Sequence, residues 1–248
     1  MKKIVLAHPC YGPLDPTINK SLRVAMMSAA TVAEWVGDVS TIREGWVGAR
    51  NRAVKAALED APDCDGIVWV DDDVLLPPTA IKRLISYDKD FVTGIVFQKF
   101  GDLNPLVARW CGNGFGWWRE FPENVLAPAD GCGFGCVYTS TDMLRAIQKL
   151  PDFKADGWFN QFPANHFGKQ LEADAETAMS EDFSFCMRAK LAGFQLYADT
   201  GLLCSHMIGP KFSTQDTYKR YWTAKRLAEE DLKRKQAAAL AELDRVSA

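Results

Sequence analysis

The sequence contains no apolar run near the ~20 residues needed to span a bilayer. The chain is therefore expected to be cytoplasmic and not membrane-inserted. Its opening, Met1-Lys-Lys-Ile-Val-Leu-Ala, reaches His8 and Pro9 at once. That is too short for a signal-peptide core and reads as a first strand. Charge of one sign is also in short supply. Lys and Arg number 29 against 32 Asp and Glu, a net charge of -3. Nothing global draws nucleic acid or an anionic membrane to it, so such a contact has to come from a local patch. Disulfide spacing is missing: Cys10, Cys64, Cys111, Cys132, Cys136, Cys186 and Cys204 are odd in number and unpatterned, which suits a reducing compartment. Cys132 and Cys136 with Cys204 and His206 invite a zinc reading, but no second Cys pair has zinc-finger spacing. Small buried hydrophobes is the better role for most of them. No G-x-G-x-x-G follows the first strand and no G-x-x-x-x-G-K-[ST] occurs, so neither a dinucleotide cofactor nor a P-loop is expected.

What is present is an ordinary folded composition, 48% hydrophobic and 25% charged over 248 residues, enough for one large α/β domain or two small ones. Strands expected at 3–7, 36–42, 67–70 and 91–97 alternate with helices at 19–33, 48–58 and after Pro77-Pro78. Such alternation means parallel pairing and a doubly wound sheet. The central stretch is Gly66-Ile-Val-Trp-Val-Asp-Asp-Asp-Val-Leu-Leu-Pro-Pro78. Its apolar run is a buried strand leading into three carboxylates, which repel one another unless a cation or donors offset the repulsion. Strand alternation puts Asp71 and Asp73 on one side and Asp72 on the other, so the pair suits a hard divalent cation and, through it, a pyrophosphate. A solvated acidic turn is the plain alternative.

Arg50 and Asn51 fall at a helix start, where free N–H groups and the dipole favour an anion. The plain reading is a helix-surface arginine and a local asparagine hydrogen bond; the functional one has Arg50 reaching a phosphate and Asn51 bracing the loop or meeting a base. Aromatic residues crowd two irregular stretches. Trp110, Phe115, Trp117, Trp118 and Phe121 lie in 101–128, and Trp158, Phe159, Phe162 and Phe167 in 153–168. Rings on loops suit stacking against sugars or bases, so the acceptor is expected there. A second core layer under long loops is the alternative. Between these stretches, Gly131-Cys-Gly-Phe-Gly-Cys-Val-Tyr-Thr139 lets backbone approach a ligand closely. Ser180 caps a helix that carries Glu181 and Asp182 in its first turn and ends at Gly193. A fixed Asp facing a pocket is what a general base requires. His206 follows the last strand, where it can return to the aspartates.

Together these residues resemble a GT-A-fold glycosyltransferase of the family 2 type. The resemblance rests on Gly48-Ala-Arg-Asn-Arg-Ala-Val54, Val70-Asp-Asp-Asp-Val74, the Gly131 to Gly135 run, Ser180-Glu-Asp-Phe183 with Arg188 and Gly193, and His206, in that order over residues 3–208. It implies a Rossmann-like, mostly parallel α/β sheet with helices on both faces over 1–212, and a helical extension over 213–248. Implied metal ligands are Asp71, Asp73 and His206, holding Mn²⁺ or Mg²⁺ against the diphosphate of a nucleotide sugar. Donor contacts are implied for Arg50, Asn51, Asp72, Asp38 and Arg43, with Asp38 as the uracil-holding aspartate and UDP the default nucleotide. Asp182 is implied as the base of an inverting transfer, oriented by Glu181, with Trp117, Trp118 and Trp158 meeting the acceptor. The chain departs from larger family members in having no spans for polymer export and no Q-x-x-R-W. Compact enzymes of this kind occur among phage-encoded glycosyltransferases, some acting on hydroxymethylated DNA bases. The acceptor classes implied are therefore a glycan and such a base.

The segment after residue 213 reads as a long helix with a basic set, Lys219, Arg220, Lys225, Arg226, Lys233, Arg234 and Lys235. Packing on the domain, or on a second copy as a homo-oligomer, is the simpler role, and guidance of an anionic acceptor the other. A nucleotidyltransferase using the same metal site, and a non-catalytic binding module, remain the competing classes.

Overall fold

The computed structural model describes residues 1–111, 114–151, 153–154, 157–162, 179–209 and 211–246, with side chains described up to residue 236 apart from Lys211. In chain order the elements are β1 (Lys2–Cys10), α1 (Pro16–Ala29), β2 (Ala33–Ile42), α2 (Trp46–Asp60), β3 (Gly66–Val70), β4 (Val74–Leu75), α3 (Ala80–Ser86) and β5 (Phe91–Val96). They continue with β6 (Val107–Trp110), β7 (Phe115–Trp117), β8 (Leu126–Ala129), β9 (Gly131–Cys132) and β10 (Cys136–Ser140). The last are α4 (Thr141–Ile147), α5 (Glu181–Leu191), β11 (Leu196–Ile208), β12 (Lys211–Ser213) and α6 (Gln215–Val246).

The main sheet runs β12-β11-β5-β10-β3-β1-β2. β1 pairs parallel with β2 and β3, and β5 with β11. Alternation along the strands sorts the core into two layers. Val5, Ala7, Ile67 and Trp69 pack with Ala53, Val54 and Ala57 of α2 and with residues of α4 and α5. Ile4, Leu6, Val68 and Val70 pack with Leu22, Ala25 and Ala29 of α1 and with Ile81 and Leu84 of α3. The expected class is observed: a mostly parallel α/β sheet with helices on both faces.

Strand β10 departs from that expectation by running antiparallel between β3 and β5. The chain leaves β5 at one end of the strands, makes an excursion through β6–β9, and re-enters at the same end, so β10 has to run the other way. A parallel return would need a crossover along the sheet. Helix α1 begins earlier than the apolar spacing suggested. The Asp15 carboxylate accepts from the Thr17 and Ile18 amides (2.7 and 3.4 Å) and Pro16 takes the first helical position.

The first aromatic stretch is not irregular: β7, β6 and β9 form a small antiparallel sheet. Strands of two to four residues are too short to show a period. The second stretch goes into the core, where Trp158, Phe159 and Phe162 are at most 2% exposed; Phe167 lies outside the described residues. Trp158 is thereby removed from the acceptor surface. Its indole donates to the Leu144 carbonyl (3.0 Å) and its ring packs on Phe153.

Helix α6 docks through Tyr218, whose ring lies 5.4 Å from Phe97 and whose hydroxyl donates to the Arg119 carbonyl (2.9 Å). Several of its basic residues have acidic partners: Lys219 with Glu123, Arg220 with Asp216, Lys225 with Asp102, and Arg234 and Lys235 with Asp231. Among the described residues, no helix is long and apolar enough to cross a membrane.

Candidate active site

Strand β3 stops at Val70, and Asp71 to Asp73 make the connection to β4. Strand alternation therefore does not govern the three aspartates, and each carboxylate has its own partner. Asp71 faces Arg50, with Nη1–Oδ1 at 3.2 Å and Nη2–Oδ2 at 3.4 Å. Asp72 accepts from the Tyr11 amide (2.7 Å), and burial raises its pKa. Asp73 takes His206 Nε2 at 3.0 Å on Oδ1 and the Lys99 ammonium on Oδ2. Backbone pairing brings His206 back: β4 is antiparallel to β11 with Val74 opposite His206, and the Met207 amide donates to the Asp73 carbonyl (2.8 Å).

Arg50 was expected at a helix start. Helix α2 begins at Trp46, so Arg50 lies in its second turn, past the free N–H groups. Its side chain is 2% exposed and points at carboxylates. Besides Asp71 it meets Asp182, Nε to Oδ1 at 3.1 Å, while the Phe134 and Phe159 rings lie 5.3 and 5.8 Å from the guanidinium. The contacts through Nε and Nη1 are close in charge but not aligned as hydrogen bonds. Burial works against this cation, but the charges of Asp182 and Asp71 outweigh it and raise its pKa.

Asp182 is presented by the first turn of α5, whose N-cap Ser180 accepts from the Phe183 amide (3.5 Å). Its Oδ2 accepts from the Phe134 amide (3.1 Å), within the Gly131 to Gly135 run. Burial pushes the Asp182 carboxyl up to about 7 against the lowering pull of Arg50, and the charges of Glu181 and Asp71 add to the rise. One cation shared by several acidic groups cannot keep all of them ionised. Glu181 opens α5 and is half-buried.

Asp73 and His206 suit a divalent cation. His206 Nδ1 lies 2.7 Å from the Phe97 carbonyl oxygen, so Nδ1 carries the hydrogen and Nε2 is the atom left facing Asp73. A ring nitrogen oriented through a backbone carbonyl, beside a carboxylate oxygen, is a donor set for such an ion. Burial would raise Asp73, but its contacts with His206 and the Lys99 ammonium hold it below the usual carboxylate range. Asp71 is turned to Arg50 and is not gathered with them. Among the described residues no group of three or more His, Cys, Asp or Glu is close enough to hold a metal ion.

The other expected site residues divide. Asn51 braces a loop, its Oδ1 accepting from the Phe159 amide (2.9 Å) and its Nδ2 donating to Asn160 (3.0 Å). Arg43 lines a cavity of about 170 Å³ at the ends of β1 and β2, together with Tyr11, Thr41 and Trp46. Asp38 is not among its lining residues; it is exposed and accepts from Ser40 (3.0 Å). Trp117 lines a second cavity, about 220 Å³, with Phe115, Phe183, Met179 and Ser180 at the start of α5. Trp118 instead packs towards the core with the Arg109 guanidinium 4.0 Å over its ring.

Sequence reading missed Lys99, which carries no motif, and Thr41, whose buried hydroxyl has no hydrogen-bond partner among the described residues. It also passed over Phe183, although Phe183 completes the Ser180-Glu-Asp-Phe183 motif.

No protein-family model matches the sequence, and no curated protein matches it. Among solved structures, A197 from STIV superposes at a TM-score of 0.52 with 19% identity, covering 84% of this chain and 86% of that one. GalNAc-T7 with UDP, GalNAc and Mn2+ superposes at 0.51 with 11% identity, covering 84% of this chain. The match takes in 44% of the GalNAc-T7 chain, so the present chain spans less than half of that length. At these identities the likeness is one of fold, the GT-A-like α/β arrangement.

Proposed function

We propose that this chain is a metal-dependent glycosyltransferase of the family 2 type, moving a sugar from a nucleoside-diphosphate donor to an acceptor hydroxyl with inversion. One observation carries the reading. Asp71 and Asp182, from distant parts of the chain, meet on one buried arginine, while Asp73 and His206 pair on the other side of the same turn. A solved likeness that holds UDP, GalNAc and Mn2+ supports placing a sugar donor there.

Each residue then has a task. Asp182 takes the proton from the attacking acceptor hydroxyl. A carboxyl near 7 suits that task, because it is ionised in useful amount at neutral pH and basic enough to accept. Arg50 holds Asp182 Oδ1 and the Phe134 amide holds Oδ2, fixing the plane of the carboxylate. Glu181 orients the acceptor beside it. Asp73 and His206 hold Mn²⁺ or Mg²⁺, which when bound offsets the charge of the departing diphosphate. Asp71 keeps Arg50 in place and lies next to the donor. The cavity with Arg43, Tyr11 and Thr41 takes the nucleoside, with UDP the default. The aromatic cavity of Trp117, Phe115 and Phe183, the last of which follows Asp182 in the chain, takes a flat acceptor face, a sugar ring or a hydroxymethylated base.

A panel of nucleotide sugars with Mn²⁺ is expected to raise the melting temperature, and Asp73→Ala to remove the rise. Asp182→Asn should keep the rise yet transfer no sugar to mixed glycan and modified-DNA acceptors followed by mass spectrometry. A rise with nucleoside triphosphates alone would point to a nucleotidyltransferase, and none with any nucleotide to a binding module.

A further inference from the structure

The Asp73 carboxylate already has a cation. The Lys99 ammonium is hydrogen-bonded to Oδ2, on the carboxylate whose other oxygen faces His206. Both side chains are largely withdrawn from solvent, Lys99 29% and Asp73 17% exposed. A short loop fixes Lys99 there. The Gln98 amide donates to the Asn104 carbonyl (2.9 Å), the Asn104 amide donates to the Gln98 side chain (3.1 Å), and Gly101 and Leu103 turn the chain with φ of 73° and 52°. The loop is latched to α6, because Asp102 accepts from the Tyr221 hydroxyl (2.7 Å) and the Lys225 ammonium (2.8 Å). The preceding residue pair supplies the Phe97 carbonyl that fixes the His206 tautomer. One segment therefore prepares His206 for a metal and sets a competitor on the neighbouring carboxylate.

We propose that Lys99 is a resident counter-cation that competes with a divalent ion for Asp73, so that a loop latched to α6 sets the metal affinity of the site. This rests on the reading of Asp73 and His206 as metal ligands. Two cations cannot both draw fully on one carboxylate, so the ammonium has to give up Oδ2 before a metal binds at full strength. Removing the charge of Lys99 should therefore tighten metal binding, and keeping it as arginine should not. Loosening the latch should act in the same direction as removing the charge, by less.

The test is Mn²⁺ binding to the whole chain without any donor, read from the electron paramagnetic resonance signal of free Mn²⁺. Lys99→Met is expected to bind about tenfold more tightly than the wild type, in line with loss of one charge-assisted hydrogen bond. Lys99→Arg should stay near the wild type, and Asp102→Asn should fall between. Misfolding cannot imitate a gain of affinity, and Lys99→Gln supplies the same comparison should Lys99→Met be unstable. Wild type that binds Mn²⁺ with Lys99→Met and Lys99→Gln binding no better would overturn the proposal and leave the metal reading standing. No binding by any variant would overturn both.

Discussion

Replacing Asp182 by asparagine should stabilise this protein at neutral pH. A carboxyl whose pKa rises on folding holds its proton more tightly in the native state. Its favourable contribution is complete below the unfolded value and is lost as pH climbs through the folded one. For Asp182 that window runs from 3.8 to about 7. Each pH step within it costs 1.36 kcal/mol, so the ionised carboxylate at pH 8 burdens the fold by about 4 kcal/mol. Asparagine is neutral at every pH and nearly the same shape. The variant and the wild type should therefore melt together near pH 4 and diverge above it. For a chain of this length 1 kcal/mol moves the melting temperature by roughly 2–4 °C, which puts the variant about 10 °C higher at pH 8. Thermal melts of both proteins at several values between pH 4 and 8 measure this directly. A variant that melts below the wild type at pH 8, or with the same offset at every pH, would refute the reasoning. Arg50 would then be keeping Asp182 ionised in spite of its burial and of Asp71 and Glu181. A gain in stability with a loss of transfer is the pattern expected where a residue is kept for chemistry.

Two further perturbations test the frame around the site. Trp158→Ala should cost about 3–5 kcal/mol in denaturant unfolding, because it empties a fully packed position and strands the Leu144 carbonyl; a cost under 1 kcal/mol would return Trp158 to the surface. Gly66→Ala should be destabilising by about 1–3 kcal/mol or more, since its Cβ would sit 2.5 Å from the Thr139 carbonyl oxygen of the adjacent strand, which cannot swing aside. Wild-type stability for that variant would mean that β10 does not lie against β3 as described.

The sheet was largely legible because its signals are local. Ile67 to Val70 is apolar, short and bounded, and it became a strand buried on both faces. Ser180 announced the start of α5 through a capping pattern that acts within four residues. His206 was expected back at the aspartates and lies 3.0 Å from Asp73. What stayed hidden depended on where a strand stopped or on contacts distant in sequence. Asp71 and Asp73 would share a side only if the strand ran on through Asp73, and it ended at Val70. Arg50 looked like an anion receptor because its carboxylate partners belong to other elements. Trp158 looked like a loop aromatic because no local pattern tells that Phe153 and the Leu144 carbonyl of α4 close over it. Lys99 has no pattern around it; its meaning comes from the loop and the helix that hold it.

The antiparallel insertion of β10 also bears on how the chain reaches this form. β3 has β1 on one side, but its other neighbour is residues 136–140, and among the described residues β5 is flanked by β10 and β11. The first hundred residues carry the cavity at the ends of β1 and β2 and all three aspartates of the turn, yet β5 among them has no partner strand. A nascent chain cannot zip up this sheet from its start; it has to wait for the middle strand and then for β11. Such distant pairings make for slow folding and leave strand edges open meanwhile. A fragment cut before residue 136 would carry much of the proposed donor site and still be unable to fold around it.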